Sequence, residues 1–159
     1  MDQRSAKETA LIKELAGDLL ETELLNQPGA GMMICSLLWL KRHRPDVYDR
    51  IAHVMLPKDY IRYRLTGTIG SDFSDACATL AFSVSRCWCM ELIRRAGLKE
   101  DIWPQVGESS QAAGHVWAEA AARTGLSGHT RVVYGAGDSS AQLTGNGVIE
   151  EGIMAATSA

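Results

Sequence analysis

The 159-residue sequence lacks the features that define membrane proteins and nucleic-acid-binding proteins. No apolar run approaches the roughly 20 residues of a membrane-spanning helix, and the start, MDQRSAKE, has no signal-peptide hydrophobic region. A basic stripe is also missing and the net charge is −3, so contacts to nucleic-acid phosphates are not supported. We therefore expect a cytoplasmic protein whose partners include neither membranes nor nucleic acids.

Paired metal-binding motifs are missing as well. The four cysteines are Cys35, Cys77, Cys87 and Cys89, and only the last two stand close together, whereas a zinc site usually shows two paired motifs. We interpret all four as free thiols in a reducing compartment and predict no metal site. A Gly-x-x-x-x-Gly-Lys-Ser/Thr phosphate-binding loop does not occur either.

The first part of the chain carries helical patterns. Hydrophobic residues make up 46% and charged residues 22% of the sequence, which is typical of a globular domain. A capping-box pattern, Ser5 to Glu8, precedes leucines at four-residue spacing and predicts a first helix. A second helix is predicted over residues 32–40. Pro45 suits the first turn of a third helix, whose inner face carries Val47, Tyr48, Ile51, Ala52 and Met55. Residues 58–65 form a predicted fourth helix, closed at Gly67.

Strand patterns appear only later and are few. Leu80, Phe82 and Val84 alternate as in a half-buried strand, and residues 131–134 form a second short apolar strand. Helices are predicted at about 88–96, ending at Gly97, and at 118–123, capped by Gly125. A self-contained α/β domain needs more strands than the two or three found here. The predicted fold is therefore a helix-rich α/β domain with an incomplete sheet.

The segment after residues 131–134 is the most informative about function. A strand that ends in Gly135-x-Gly137 and opens a helix places Asp138 at the carboxyl edge of the sheet, where ligands bind in open α/β sheets. An aspartate there could act as a general base. The alternative is structural: Asp138, or Ser139 with Gln142, caps the helix that follows. Both interpretations stay open on this segment alone.

Two other functions of this segment are disfavoured. The dinucleotide-binding fingerprint needs a third glycine, and Ser140 stands in its place. Gly-Asp-Ser at 137–139 is similar to an esterase nucleophile motif, but that chemistry needs a downstream histidine as base. No histidine follows Asp138.

Several segments together resemble carbohydrate kinases of the FGGY family, and within it the xylulose kinases most closely. They span almost the whole chain in the family's order: Asp2-Gln-Arg4, LLWLKR at 37–42, LPKDYIRYRLTG at 56–67, SDFSDA at 71–76, TLAF at 79–82, Trp88, and GAGDSSA at 135–141. The order and spacing of these motifs make the match specific, whereas any one of them alone would be weak.

The resemblance implies that residues 1–159 are part of the N-terminal, sugar-binding domain of such a kinase, with an actin-like, ribonuclease H-like ATPase fold. It implies a ketopentose such as xylulose as substrate, Asp138 as the catalytic general base, and Ser139 and Asp2 as sugar-binding residues. ATP and Mg²⁺ act in the complete enzyme. We expect the first ATP-binding strand and loop and the C-terminal domain to lie outside this chain, which alone should bind no nucleotide and be inactive.

Departures from the family pattern leave the sugar undetermined. Met33 and Ser36 stand where the first signature has a Pro, Ser or Thr and a Lys, and Ser139 replaces a common asparagine. A second hypothesis is a non-enzymatic remnant that binds sugar or dimerises. An unpaired sheet edge would favour association into a homodimer.

Overall fold

The computed structural model describes residues 3–156 and consists mainly of helices. The α-helices in this range are α1 Ala6–Ala16, α2 Met33–His43, α3 Pro45–Tyr48, α4 Pro57–Thr66, α5 Phe73–Cys77, α6 Met90–Arg95, α7 Ala118–Thr124 and α8 Asp138–Gly145. The strands are β1 Ser71–Asp72, β2 Val106–Gly107, β3 Ala112–His115 and β4 Arg131–Val133, and a π-helical segment spans Leu20–Leu24. None of the helices in the described range is both long and apolar enough to cross a membrane.

The predicted helical layer is confirmed, and its core lies between α1, α2 and α6. Ile12 of α1 and Ile34 of α2 are fully buried, as are Leu92 and Ile93 of α6. Burying an aliphatic side chain of this size stabilises a fold by about 1.5–3 kcal/mol. Because these side chains belong to one buried cluster, α1 and α6 pack together with α2 although they are far apart in the sequence.

The capping box predicted at the start of α1 is wrong. Ser5 precedes the helix, but its hydroxyl oxygen accepts a hydrogen bond from the Gly31 N–H at 3.2 Å and no side chain caps the helix. Glu8 is buried, and its Oε1 lies 3.2 Å from Arg42 Nη1 and 3.4 Å from His43 Nε2. The carboxylate pairs with Arg42 and His43 of α2 and not with the helix start, which local spacing does not reveal.

The third helix is shorter than predicted. Pro45 occupies its first turn as expected, but α3 ends at Tyr48, and Ala52 is exposed. Beyond the helix the chain is held by a different contact, because the Val54 N–H donates to the carbonyl oxygen of Ile102 at 3.0 Å. The predicted fourth helix is confirmed as α4, which ends at Gly67 with a left-handed φ of 74°.

The strand predicted from Leu80, Phe82 and Val84 does not form. Leu80 has a φ of 58°, a left-handed conformation that interrupts an extended chain. Phe82 makes only an isolated antiparallel bridge with Trp88. Leu80 and Phe82 are nevertheless buried, whereas Val84 is exposed. The apolar alternation thus marked a buried turn and not a strand.

The strands form two small sheets. β1 and β2 are parallel, with Ser71 opposite Val106. β3 and β4 are antiparallel, with an irregularity in β3 before Gly114. The predicted strand at 131–134 is confirmed as β4, which pairs with β3 alone within residues 3–156. The helix-rich α/β class with an incomplete sheet is therefore confirmed.

Candidate functional site

Asp138 is the first residue of α8 and follows β4 across the turn at residues 134–137. Its side chain is exposed, and its Oδ1 accepts hydrogen bonds from the Ser139 N–H at 2.7 Å and the Ser139 hydroxyl at 3.4 Å. Among residues 3–156, no lysine or arginine forms an ion pair with this carboxylate. Gly137 is the N-cap residue of α8, and within residues 3–156 Asp138 accepts the N–H of Ser139 but not those of Ser140 or Ala141.

A lysine surrounded by three carboxylates lies directly beside this turn. Lys58 Nζ is 2.9 Å from Asp59 Oδ1, 2.7 Å from Asp72 Oδ2 and 3.5 Å from Asp75 Oδ2. We call these four residues the Lys58 cluster. Lys58 also donates to the carbonyl oxygen of Tyr134 at 3.2 Å, so α4 is bonded to the residue that follows β4.

Arg62, one helical turn beyond Lys58, fixes the same residue. Its Nη1 lies 2.8 Å from Asp59 Oδ1 and 3.0 Å from the carbonyl oxygen of Tyr134, and its Nη2 donates to the carbonyl oxygen of Gly70. The guanidinium carbon lies 4.6 Å from the centroid of the Tyr134 ring, within the range of a cation–π contact. Tyr134 is thus held through both its backbone and its ring.

The other end of the turn is bonded to α5. Asp72 caps this helix by accepting from the backbone N–H groups of Ser74 and Asp75 at 3.0 and 3.2 Å. The Ser74 hydroxyl donates to Asp72 Oδ1 at 2.5 Å and accepts from the Gly137 N–H at 2.9 Å. The residue immediately before Asp138 is therefore held by a side chain of α5.

Burial and hydrogen bonds compete in setting the charges of the Lys58 cluster. Burial acts to raise the pKa of Asp72, but hydrogen bonds from Lys58 and Ser74 outweigh it and hold the pKa below its ordinary value. Burial raises the pKa of Asp75, and the attraction of Lys58 does not fully offset it. Burial acts to lower the pKa of Lys58, yet its bonds to Asp72 and Asp59 raise it. Asp72 is therefore an anion and Lys58 a cation at neutral pH.

The predicted site residues are only partly brought together. Asp138 and Ser139 are adjacent and exposed at the start of α8, whereas Asp2 lies outside the described residues. The Lys58 cluster was not identified as functional from the sequence, although its members lie in two segments, 56–67 and 71–76, that carry the family resemblance. The feature of the sequence that could have indicated this cluster is the presence of three charged residues, at positions 58, 59 and 62, on one short helix.

Within residues 3–156, no group of three or more His, Cys, Asp or Glu side chains is placed to hold a metal ion. The carboxylates of the Lys58 cluster are occupied by an ammonium group. All four cysteines are free thiols, with Cys35 and Cys89 buried and the other two exposed.

The helical layer with small, incomplete sheets is the architecture of part of an actin-like domain. The family model described as the N-terminal domain of the FGGY family of carbohydrate kinases matches residues 1–145, and the chain belongs to this family. The resemblance predicted from the sequence motifs is thereby confirmed.

Individual relatives agree with this assignment. The xylulose kinase of Bacillus subtilis (strain 168) is 33% identical over 152 residues, covering 95% of this chain and 30% of that protein. An autoinducer-2 kinase of Salmonella typhimurium is 35% identical over 153 residues, covering 94% and 29%. The crystal structure of xylulose kinase from Rhodospirillum rubrum superposes with a TM-score of 0.86 at 29% identity, covering 95% of this chain and 31% of that one. The chain spans about 30% of the length of the curated relatives it matches.

Proposed function

We propose that this chain is the sugar-binding part of an ATP-dependent kinase for a ketopentose such as xylulose, with Asp138 as the general base. The observation that carries this proposal is the state of the Asp138 carboxylate. Its Oδ1 is anchored by Ser139, while its Oδ2 has no hydrogen bond within residues 3–156. A carboxylate with one oxygen anchored and the other open to solvent can take a proton from a bound hydroxyl.

In this mechanism Asp138 Oδ2 accepts the proton of the sugar hydroxyl, which makes the sugar oxygen a stronger nucleophile. In the same proposal the exposed Ser139 hydroxyl, 3.4 Å from Asp138 Oδ1, binds a neighbouring sugar hydroxyl. We also keep Asp2 as a proposed sugar-binding residue, by family resemblance alone.

ATP supplies the phosphoryl group in this family, and Mg²⁺ neutralises its charge. The described residues do not fit either group, because they form no metal-binding cluster and the sequence has no Gly-x-x-x-x-Gly-Lys-Ser/Thr loop. We therefore assign both to the parent enzyme and derive no step from this chain's residues toward them.

The test is Asp138→Asn in the complete kinase, because asparagine keeps the size of the side chain and removes the base. We expect kcat to fall by roughly a hundredfold or more, with the free energy of unfolding within about 0.5 kcal/mol of the wild type. The matched control is Asp18→Asn, an exposed aspartate just before the π-helical segment Leu20–Leu24, and it should leave kcat unchanged. Near-normal kcat in Asp138→Asn would assign the base to another residue.

Autoinducer-2 is a second candidate substrate, favoured by the 35% identity to kinases of that name. The identities to the two kinds of kinase are similar, and the departures at Met33 and Ser36 do not select one of them. The ratio of kcat/KM values for xylulose and autoinducer-2, measured on the complete enzyme, distinguishes the two substrates.

A further inference from the structure

We propose that Ser74 is a positioning residue that fixes the turn carrying Asp138, as the middle of a hydrogen-bonded relay from Lys58 through Asp72 to Gly137. The inference rests on the proposed function only in taking Asp138 as the base. It assigns to α5 a role in catalysis that acts through the backbone and not through contact with the sugar.

Every step of the relay lies within hydrogen-bonding distance. Lys58 Nζ lies 2.7 Å from Asp72 Oδ2, and the other oxygen of that carboxylate accepts from the Ser74 hydroxyl at 2.5 Å. The Gly137 N–H then donates to Ser74 Oγ at 2.9 Å. Asp138 follows Gly137 directly, so an ammonium group on α4 is linked through three hydrogen bonds to the peptide that precedes the base.

The chemistry of a hydroxyl fixes the direction of the relay. Ser74 has one proton to donate and lone pairs with which to accept. Because Asp72 is an anion paired with Lys58, it can only accept, and the Ser74 proton must point toward it. The lone pairs of Ser74 are therefore left for the Gly137 N–H. Alanine at position 74 would remove both bonds, whereas threonine would keep them.

Gly137 lies close to α5, where a side chain would be crowded. A Cβ atom built on Gly137 would lie 3.3 Å from Asp75 Oδ1 and 3.7 Å from Ser74 Oγ. The first residue of the turn, Tyr134, is held through its carbonyl oxygen by Lys58 and Arg62. The hydrogen bond to Ser74 fixes Gly137, the last residue of the turn, in the same way. Together, the contacts at Tyr134 and at Gly137 set the direction in which α8 begins.

Amide hydrogen exchange of the 159-residue chain, followed by NMR, tests the relay without requiring activity. In Ser74→Ala the Gly137 amide should exchange roughly five- to tenfold faster than in the wild type, because a single hydrogen bond has been lost. Amides of α1 and α2 should be unchanged, and Ser74→Thr should restore the wild-type rate. If Ser74→Ala does not fold, Ser74→Cys keeps the shape with a weaker acceptor and should still accelerate exchange of Gly137.

Ser109→Ala is the matched control, because the Ser109 hydroxyl also lies 3.4 Å from Asp72 Oδ1, whereas within residues 3–156 the side chain that accepts the Gly137 N–H is that of Ser74. In the complete kinase, Ser74→Ala should lower kcat by about tenfold and change the sugar KM by less than twofold, and Ser109→Ala should change neither. A Gly137 exchange rate within twofold of wild type in Ser74→Ala overturns the inference. Faster exchange supports it even if Asp138→Asn retains activity, in which case the proposed base alone is wrong.

Discussion

Replacing Lys58 with methionine should destabilise the fold, because it leaves buried carboxylates without their cation. Asp72 and Asp59 are almost completely buried, and Lys58 is the only lysine or arginine of the described residues that pairs with Asp72. Asp59 keeps Arg62 at 2.8 Å, so the loss falls mainly on Asp72. Methionine retains the aliphatic length of lysine and removes only the charge and the hydrogen bonds.

The expected loss is about 3 kcal/mol. Removing one partner of a buried ion pair typically costs about 3–5 kcal/mol. The lower end applies here, because 29% of the Lys58 side chain is exposed and Asp72 keeps its hydrogen bonds from α5. With an m-value of about 2 kcal/mol/M, the urea midpoint should fall by roughly 1.5 M.

Tryptophan fluorescence during urea unfolding measures this loss, since Trp88 and Trp103 pack with ring centroids 4.9 Å apart next to the core. Arg94→Met breaks an exposed pair with Glu100 and should cost less than about 1 kcal/mol. Adding Asp72→Asn to Lys58→Met should recover part of the loss, because asparagine still caps α5 and is uncharged. A loss in Lys58→Met no larger than that of the Arg94 control would refute the reasoning, because it would mean that water satisfies Asp72.

Two further predictions concern the same region. Gly70→Ala should cost about 2 kcal/mol in unfolding free energy, because its Cβ would lie 2.6 Å from Tyr134 Cε1 and displace the ring; an unchanged urea midpoint would contradict this. Asp72 has a lowered pKa, so its stabilisation is present above its unfolded-state pKa of about 3.9 and is lost as the pH falls through the folded-state pKa. The pKa of Asp75 is raised, so lowering the pH through this range favours the folded state at this residue and does not disfavour it. The drop in urea midpoint between pH 5 and pH 2.5 should therefore be smaller in Asp72→Asn than in the wild type.

Elements with a local chemical signal were predictable from the sequence. Gly67 and Gly125 end α4 and α7 with left-handed φ values of 74° and 76°, and Pro45 opens α3. The strand–glycine–helix pattern around Asp138 was likewise local, because β4, the turn and the start of α8 are consecutive in sequence. In each case the residue type itself constrains the backbone.

Features that depend on contacts between residues far apart in the sequence were not predictable from it. Ser5 and Glu8 match a capping box, but Gly31 and Arg42, more than twenty residues away, bind their side chains. The Lys58 cluster joins α4 to the ends of β1 and β4, and its contacts span up to 76 residues. No periodicity in the sequence encodes such contacts, because each depends on how the helices and strands pack in three dimensions.

The short strands explain why charged side chains hold the turn before Asp138. In a larger sheet, hydrogen-bonded strands on both sides would fix the end of β4, but within residues 3–156 only β3 pairs with it. The Tyr134 N–H still donates to a backbone carbonyl, that of Gln111, at 3.0 Å, whereas its own carbonyl oxygen is bound by Lys58 and Arg62. A buried cation satisfies that acceptor only if carboxylates neutralise it, which is what Asp59 and Asp72 provide. Within residues 3–156, the position of Asp138 therefore depends on these side-chain charges as well as on the pairing of β4 with β3.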